Sequence, residues 1–227
     1  MTDYSGKRAV ALVSGGLDSL VSLAKANAEM DVRLVLFFDY GQRALAAERA
    51  ACQGIVDFYG CPWKIVDMRW LGTLAPEAMR EATTPPGVGE VPLLDTLDAV
   101  WIPNRNGAFL NIGAAYAEAY DCEFLVTGFN REEAVEFPDN SEDYVERVNA
   151  ALELSTRNGV RAVSFTQHLD KKGIIELGHE LRAPLSVVWS CYHSGERMCG
   201  RCASCARLKA ALANVDADVR PPIEFEG

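Results

Sequence analysis

Although 49% of its 227 residues are hydrophobic, the chain has no apolar run near the roughly 18 residues of a membrane-spanning helix. The first segment, Met1-Thr2-Asp3-Tyr4-Ser5-Gly6-Lys7, is without the apolar core of a signal peptide. A cytoplasmic protein with no membrane partner is therefore expected. Basic residues are few, with 22 Lys and Arg against 32 Asp and Glu and a formal net charge of -10. That balance argues against a broad nucleic-acid surface, which needs a basic face, and points to small substrates. No G-x-x-x-x-G-K-[ST] occurs, so a Walker loop is excluded. Internal repeats and low-complexity segments are absent. At this length one domain, with or without a small appendage, is expected.

What is present begins with Ser14-Gly15-Gly16-Leu17-Asp18-Ser19. An apolar run (Ala9 to Val13) precedes it and a helical pattern (Leu20, Val21, Leu23, Ala24, Ala28) follows, so the segment reads as a strand, a tight turn and a helix start. Paired glycines let the backbone approach a ligand closely. Two serines and the free N–H groups of the first helical turn add donors, and together these make a phosphate cradle. Read without that function, the segment is a glycine-rich turn in which Asp18 serves the first turn of the helix.

The rest of the chain alternates strands and helices. Leu34 to Phe38, apolar on both faces, suits a buried parallel strand; it ends in Asp39-Tyr40-Gly41-Gln42-Arg43 before a helix over Ala44 to Tyr59. Strands follow at Trp63 to Met68, Phe124 to Thr127 and Ala162 to Phe165. Helices are expected over Ala108 to Tyr120, Ser141 to Thr156 and Lys171 to Leu181. This spacing implies right-handed crossovers between parallel strands, with ligands gathered beyond the strands' C-terminal ends. Arg105 and Asn106 at a helix start can serve an anion or simply cap the helix. Residues 70–99, with Thr83-Thr84-Pro85-Pro86-Gly87-Val88-Gly89, read as a loop. Gly128 to Asn140 reads as a polar loop without helical or strand period.

Four of the seven cysteines stand at Cys191, Cys199, Cys202 and Cys205. Two overlapping C-x-x-C turns after a seven-residue loop fit four thiolates around tetrahedral zinc. An iron–sulfur cluster is the chief rival, but the ferredoxin spacing is not met by Ala206-Arg207-Leu208-Lys209. Four coordinated thiolates leave no open position for water, so the metal is expected to fold the tail and take no part in chemistry. Cys52, Cys61 and Cys122 read as core residues.

The loop resembles the S-G-G-x-D-S signature of the N-type ATP pyrophosphatases, in which it holds the pyrophosphate released when a substrate oxygen attacks the α-phosphate of ATP. Joined to Trp189-Ser190-Cys191-Tyr192 and Cys199-Gly200-x-Cys202-x-x-Cys205, it closely resembles the QueC family of 7-cyano-7-deazaguanine synthases. Further matches are Phe38-Asp39-Tyr40-Gly41-Gln42-Arg43, Pro103-x-Arg105-Asn106-Gly107, Leu169-x-Lys171 and Ile174-x-x-Leu177-Gly178. The resemblance implies an α/β fold with a doubly wound, mainly parallel, Rossmann-like sheet over residues 1–185 and a zinc-binding region over 186–227. It implies adenylation of 7-carboxy-7-deazaguanine by ATP, displacement of AMP by free ammonia, and a second activation giving the nitrile. No glutamine-hydrolysing domain accompanies the chain.

Under that resemblance Ser14, Asp18, Ser19 and Lys171 are catalytic. Val13, Ser14, Gly15, Gly16, Leu17, Asp18, Ser19, Asp39, Tyr40, Arg105 and Gly128 hold ATP, with Mg2+ at Asp18. Arg43, Asn106, Glu133, Phe137 and Asp139 hold the substrate, Phe137 stacking on the base and Asp139 accepting from its N–H edge. A homodimer is expected, as for many small acidic enzymes. The chain departs from the family at Val135-Glu136-Phe137-Pro138-Asp139-Asn140-Ser141, where many members have S-G-Y-P-D-C-R, and at Glu133, where aspartate is usual. A related ligase acting on another carboxylate, an RNA thiolation enzyme and a non-catalytic zinc module are the alternatives. The thiolation enzyme would want a cysteine pair outside the four and a basic surface.

Overall fold

The computed structural model describes residues 3–76, 79 and 100–226. Five strands, β1 (Arg8–Leu12), β2 (Asp31–Asp39), β3 (Trp63–Asp67), β4 (Phe124–Thr127) and β5 (Arg161–Ser164), form one sheet in the order β3-β2-β1-β4-β5. Every pairing is parallel, with Ala11 opposite Val35 on one side and Val126 on the other. The doubly wound parallel sheet expected from the alternation of apolar runs is what forms.

Because successive strand residues face opposite sides of a sheet, the strands feed two cores. Ala9, Ala11, Val13, Val35, Phe37 and Val126 meet helices α1 (Leu17–Glu29) and α2 (Leu45–Tyr59). Val10, Leu34, Leu36, Phe38, Leu125 and Ala162 meet α4 (Arg105–Ala119) and α6 (Glu142–Ser155), which follow the short α3 (Arg69–Gly72) and a brief α5 (Arg131–Glu136). Phe37, 1% exposed, and Leu20, Leu36, Ile55 and Leu110, all at 0%, illustrate the driving force: each such side chain stabilises the fold by roughly 1.5–3 kcal/mol relative to exposure.

The first core continues into α7 (Lys171–Glu180) through Ile174 and Ile175, and into the C-terminal helix α8 (Ala203–Asn214) through Leu208, Ala211 and Leu212. Residues Val188, Cys191, Met198, Cys199, Cys202 and Cys205 belong to the same core. The last described residues are fastened by a parallel bridge between Met198 and Phe225, by an Arg197–Glu224 ion pair and by Lys209 over the Phe225 ring.

The strand order reverses between β1 and β4. Beyond their carboxyl ends lies the crevice in which open α/β sheets bind ligands. Into it β1 delivers residues 13–16, β2 delivers Asp39 and Tyr40, and β4 delivers Gly128.

Two segments differ from the sequence reading. Gly128 to Asn140 is not an irregular loop: it holds α5 and a 3-10 turn at Pro138–Asn140. Asn130 caps α5 by accepting from Glu133 N at 2.9 Å, and Glu132 and Glu133 in the first turn complement the helix dipole. No residue of α5 is buried, so no apolar period announces it. The loop expected over residues 70–99 begins inside α3 (Arg69–Gly72), and its Thr83 to Gly89 stretch lies outside the described residues.

Candidate active site

Gly15 adopts φ +87°, and a Cβ there would stand 2.5 Å from the Glu48 carbonyl oxygen. Only glycine fits, and the first turn of α2 is thereby pressed against the loop. Gly128 is required for a similar reason, since a Cβ on it would lie 2.5 Å from Ser19 N. Within the loop Ser14 Oγ and Ser19 Oγ are 3.3 Å apart, Ser14 N donates to Ser19 Oγ (3.2 Å), and Ser19 Oγ donates to Gly16 O (3.1 Å). Gly16 is the N-cap of α1 and has no side chain to cap it, so the helix presents first-turn N–H groups at its positive end.

Beside the loop, Lys171 Nζ donates to Glu133 Oε1 (2.9 Å) and to Asp18 Oδ2. The three groups come from α7, α5 and α1. Asp170 places Lys171 by capping α7 through Gly173 N (2.8 Å), and Lys171 N donates to Glu132 Oε1 (3.2 Å). Two carboxylates share one ammonium. Burial pushes the Asp18 carboxyl up to about 6, against the pull of Lys171 and with Glu133 adding to the rise. Burial also acts on Glu133, but Lys171 outweighs it and holds that carboxyl below its ordinary value. Lys171 itself loses by burial and gains more from the two carboxylates, so it stays protonated well above the ordinary lysine range. Asp18 Oδ1 is buried without a hydrogen-bond partner among the described residues. An orphaned carboxylate oxygen next to a phosphate cradle suits a hard cation such as Mg2+.

The loop and the lysine cluster face one cavity, whose opposite wall is aromatic: Phe38, Tyr40 and Phe109 line it. Phe38 and Phe109 stack at 4.3 Å, and the Arg105 guanidinium sits over the Tyr40 ring at 6.0 Å. Arg105 is therefore part of the site rather than the exposed member of a capping pair. The helix cap is Asn104, at φ 51° and with no side-chain cap bond. Glu48 also lines the cavity; burial pushes its carboxyl up to about 7, against Gln42 and Arg105.

The cysteine region supplies the remaining wall through Trp189, Ser190, Tyr192 and Ser204. Trp189 N donates to Gly15 O at 2.9 Å, tying this region to the glycine loop. The four sulfurs lie within 4.8 Å of one another, with Cys191 and Cys202 at 4.0 Å and Cys199 and Cys205 at 3.9 Å. Tetrahedral zinc with bonds near 2.3 Å would set sulfurs roughly 3.8 Å apart. Backbone N–H groups of His193 and Cys199 point at Cys191 Sγ, and that of Cys202 at Cys199 Sγ, each at 3.4 Å. Such donors suit thiolates, so the arrangement fits a bound metal ion.

Of the residues singled out in the sequence, Val13, Ser14, Gly16, Leu17, Asp18, Ser19, Tyr40, Arg105, Asn106, Gly128, Glu133 and Lys171 line the cavity. Gly15 shapes it from behind. Asp39, Arg43, Phe137 and Asp139 are not among its lining residues. Asp39 is occupied in its own turn, accepting from Gly41 N (3.1 Å). Arg43 O accepts from Ser194 Oγ (3.1 Å), which ties it to the cysteine region. Phe137 is parallel to Trp101 at 6.3 Å. The Asp139 carboxylate accepts from Asn140 Nδ2 (3.3 Å), and the helix cap beside it is Ser141, accepting from Tyr144 N (3.2 Å). Glu48, Phe109, Asn140, Trp189, Ser190, Tyr192 and Ser204 were missed as site residues. Only Trp189-Ser190-Cys191-Tyr192 carried a signal, as a run next to the first metal-type cysteine. Cys52 and Cys122 are buried as expected, whereas Cys61 is partly exposed.

A family model described as queuosine biosynthesis protein QueC matches residues 8–216. The chain is 44% identical over 210 residues to a 7-cyano-7-deazaguanine synthase from Carboxydothermus hydrogenoformans, covering 90% of this chain and 98% of that one. A protein of the same name from Methanosarcina mazei is 38% identical over 223 residues, covering 92% and 94%. Among solved structures, the U34-tRNA thiolase NcsA from Methanococcus maripaludis, with its 4Fe-4S cluster, is similar at TM-score 0.52 and 14% identity, covering 95% of this chain and 67% of its own. That likeness is one of fold.

Proposed function

The chain belongs to the QueC family of queuosine biosynthesis proteins, and we propose that it carries out the synthesis for which its relatives are named, the formation of 7-cyano-7-deazaguanine. Its substrates are 7-carboxy-7-deazaguanine, ammonia and ATP. It acts in the cytoplasm as a homodimer, on small molecules rather than nucleic acid.

The chemistry explains the residues. A carboxylate is anionic and resists attack, so it is first joined to AMP, which then leaves with its electron pair when a neutral amine attacks. The backbone of Gly15, Gly16 and Leu17 and the hydroxyls of Ser14 and Ser19 hold the departing pyrophosphate, and Lys171 answers the charge that grows on it. Asp18, whose Oδ1 has no hydrogen-bond partner among the described residues, would hold Mg2+, which would neutralise charge on the phosphates. From α4, Arg105 holds ATP and Asn106 the substrate. The aromatic wall of Phe38, Tyr40 and Phe109 accepts a planar ring. The cysteines hold structural zinc, which fixes the wall carrying Trp189 and Tyr192.

The observation that carries this reading is the meeting, at the switch point of a parallel sheet, of the glycine loop with the Asp18–Lys171–Glu133 cluster in a single cavity. Of the segment that departs from the family pattern, residues 133–141, Glu133 and Asn140 line that cavity; Glu133 keeps a carboxylate where aspartate is usual, and Asn140 replaces a cysteine by another uncharged polar group. The test is ATP–pyrophosphate exchange with 7-carboxy-7-deazaguanine, followed by mass spectrometry of the product with ammonia. Exchange and a nitrile product are expected. Exchange with a different carboxylate only, or none at all, overturns the reading.

A further inference from the structure

Every step after adenylation takes protons off nitrogen, and few groups in the cavity can receive them. Among the described residues three carboxylates line it. Asp18 and Glu133 are both joined to Lys171. Glu48 is in no ion pair among the described residues; its Oε2 accepts from the neutral Gln42 Nε2 at 2.9 Å. Gln42 is itself fixed, accepting from Tyr40 N (3.0 Å) and donating to Phe38 O (3.1 Å). The carboxylate is thus held in place by a donor that does not neutralise it, and among the described residues no hydrogen bond to Oε1 competes with a ligand. Its helix is also held against the phosphate loop, where the Glu48 carbonyl faces Gly15.

The charge bearing on Glu48 is the Arg105 guanidinium of α4, and its carboxyl sits at about 7. The Tyr40 hydroxyl is held up near 12 by burial, that of Tyr192 is also raised by burial, and no histidine lines the cavity. A group that both takes and releases a proton near neutral pH suits general base catalysis.

We propose that Glu48 is the proton acceptor for the reacting nitrogen in both halves of the synthase reaction, a role that rests on the reading given above. In the first half ammonia forms a C–N bond to the adenylated carbon, AMP leaves with the C–O electron pair, and Glu48 takes one N–H proton, giving the amide. In the second half the amide oxygen forms a bond to the α-phosphorus of ATP, pyrophosphate leaves, and one N–H proton passes to Glu48. The C–O bond then breaks, AMP leaves, and the last N–H proton passes to Glu48 as the C≡N bond forms. Between steps the carboxyl returns each proton to water.

Glu48→Gln keeps the shape and removes the base. The variant should carry out pyrophosphate exchange with 7-carboxy-7-deazaguanine within about tenfold of the wild type, while nitrile formation from ammonia falls by about 100-fold or more. Hydroxylamine, largely unprotonated at neutral pH, should still trap the adenylate as a hydroxamate at close to the wild-type rate. Glu48→Asp, which keeps a carboxylate at a longer reach, should recover part of the nitrile rate and covers the case in which the glutamine variant does not fold. Nitrile formation at the wild-type rate in folded Glu48→Gln overturns the proposal. Loss of exchange in either folded variant also overturns it, making Glu48 a receptor for substrate. Absence of exchange in the wild type is a different outcome, and it removes the synthase reading itself.

Discussion

The Asp18–Lys171–Glu133 cluster, assembled from distant parts of the chain, and the four cysteines, all within residues 191–205, are both polar and largely enclosed, but they are stabilised differently. In the lysine cluster opposite charges meet inside the protein, so most of the electrostatic cost of burial is offset by partners that fold with it. In the cysteine cluster four groups of one kind face each other within 4.8 Å, and among the described residues backbone N–H groups rather than cationic side chains point at them. The first can stand without a ligand. The second makes its ligand part of folding. The charge proposed for catalysis is thus pre-arranged, while the wall beside it carries a cluster suited to a metal ion.

The widest gap between the two should appear with Cys202→Ser. Three thiolates and a hydroxyl hold zinc poorly, so insoluble or protease-sensitive protein is expected, against one zinc per chain in the wild type by elemental analysis. Iron, a brown colour or no metal in the wild type would remove the contrast. Lys171→Ala comes next. It leaves the largely enclosed Asp18 carboxylate and the partly exposed Glu133 without their cation, a loss of about 3 kcal/mol by the rule for broken buried pairs. It should also lower kcat by about 100-fold or more while KM changes less, because charge on the leaving pyrophosphate grows in the transition state. An effect confined to KM would remove the leaving-group role.

Asp18→Asn sharpens the comparison by separating catalysis from stability. Adenylation should fall by about 100-fold, while the melting temperature at neutral pH stays close to that of the wild type, since Lys171 keeps Glu133. The pH dependence has a definite sign. The folded-state pKa of Asp18 is raised, from 3.8 to about 6, so its titration favours the folded state below the ordinary value and disfavours it above about 6. The wild type should therefore lose melting temperature relative to the asparagine variant as pH rises from 4 through 6, as scanning calorimetry can show. The smallest effect is expected at Asp139→Asn. Asp139 is outside the cavity lining, so affinity for 7-carboxy-7-deazaguanine should fall by less than about tenfold, that is less than about 1.4 kcal/mol. A larger loss in titration calorimetry would return Asp139 to the site.

The parallel sheet was legible because its strands are buried on both faces: Val35 and Phe37 serve one core, Leu34, Leu36 and Phe38 the other, and the run is continuously apolar. The loop was legible because glycine at Gly15 is a steric requirement that leaves its mark in the residues. The lysine cluster was legible only in part. Lys171, Asp18 and Glu133 could each be chosen, but their meeting depends on α5, whose surface position gives it no apolar period. The wall built by Trp189, Ser190, Tyr192 and Ser204 was hidden for another reason. Cysteine spacing specifies a metal site, yet it carries no information about which part of the sheet that site packs against. Glu48 gave no signal at all, since a glutamate in the first turn of a helix is ordinary, and its burial comes from neighbours remote in sequence.

The hydrogen bond from Trp189 N to Gly15 O has a meaning for the order in which the protein is made. Ribosomes deliver the phosphate loop well before Trp189. A nascent or prematurely released chain ending before Trp189 has its glycine loop but lacks the wall across it and the cysteines that brace that wall. The cavity proposed to hold ATP is therefore complete only once Trp189 and the cysteines beside it have been made.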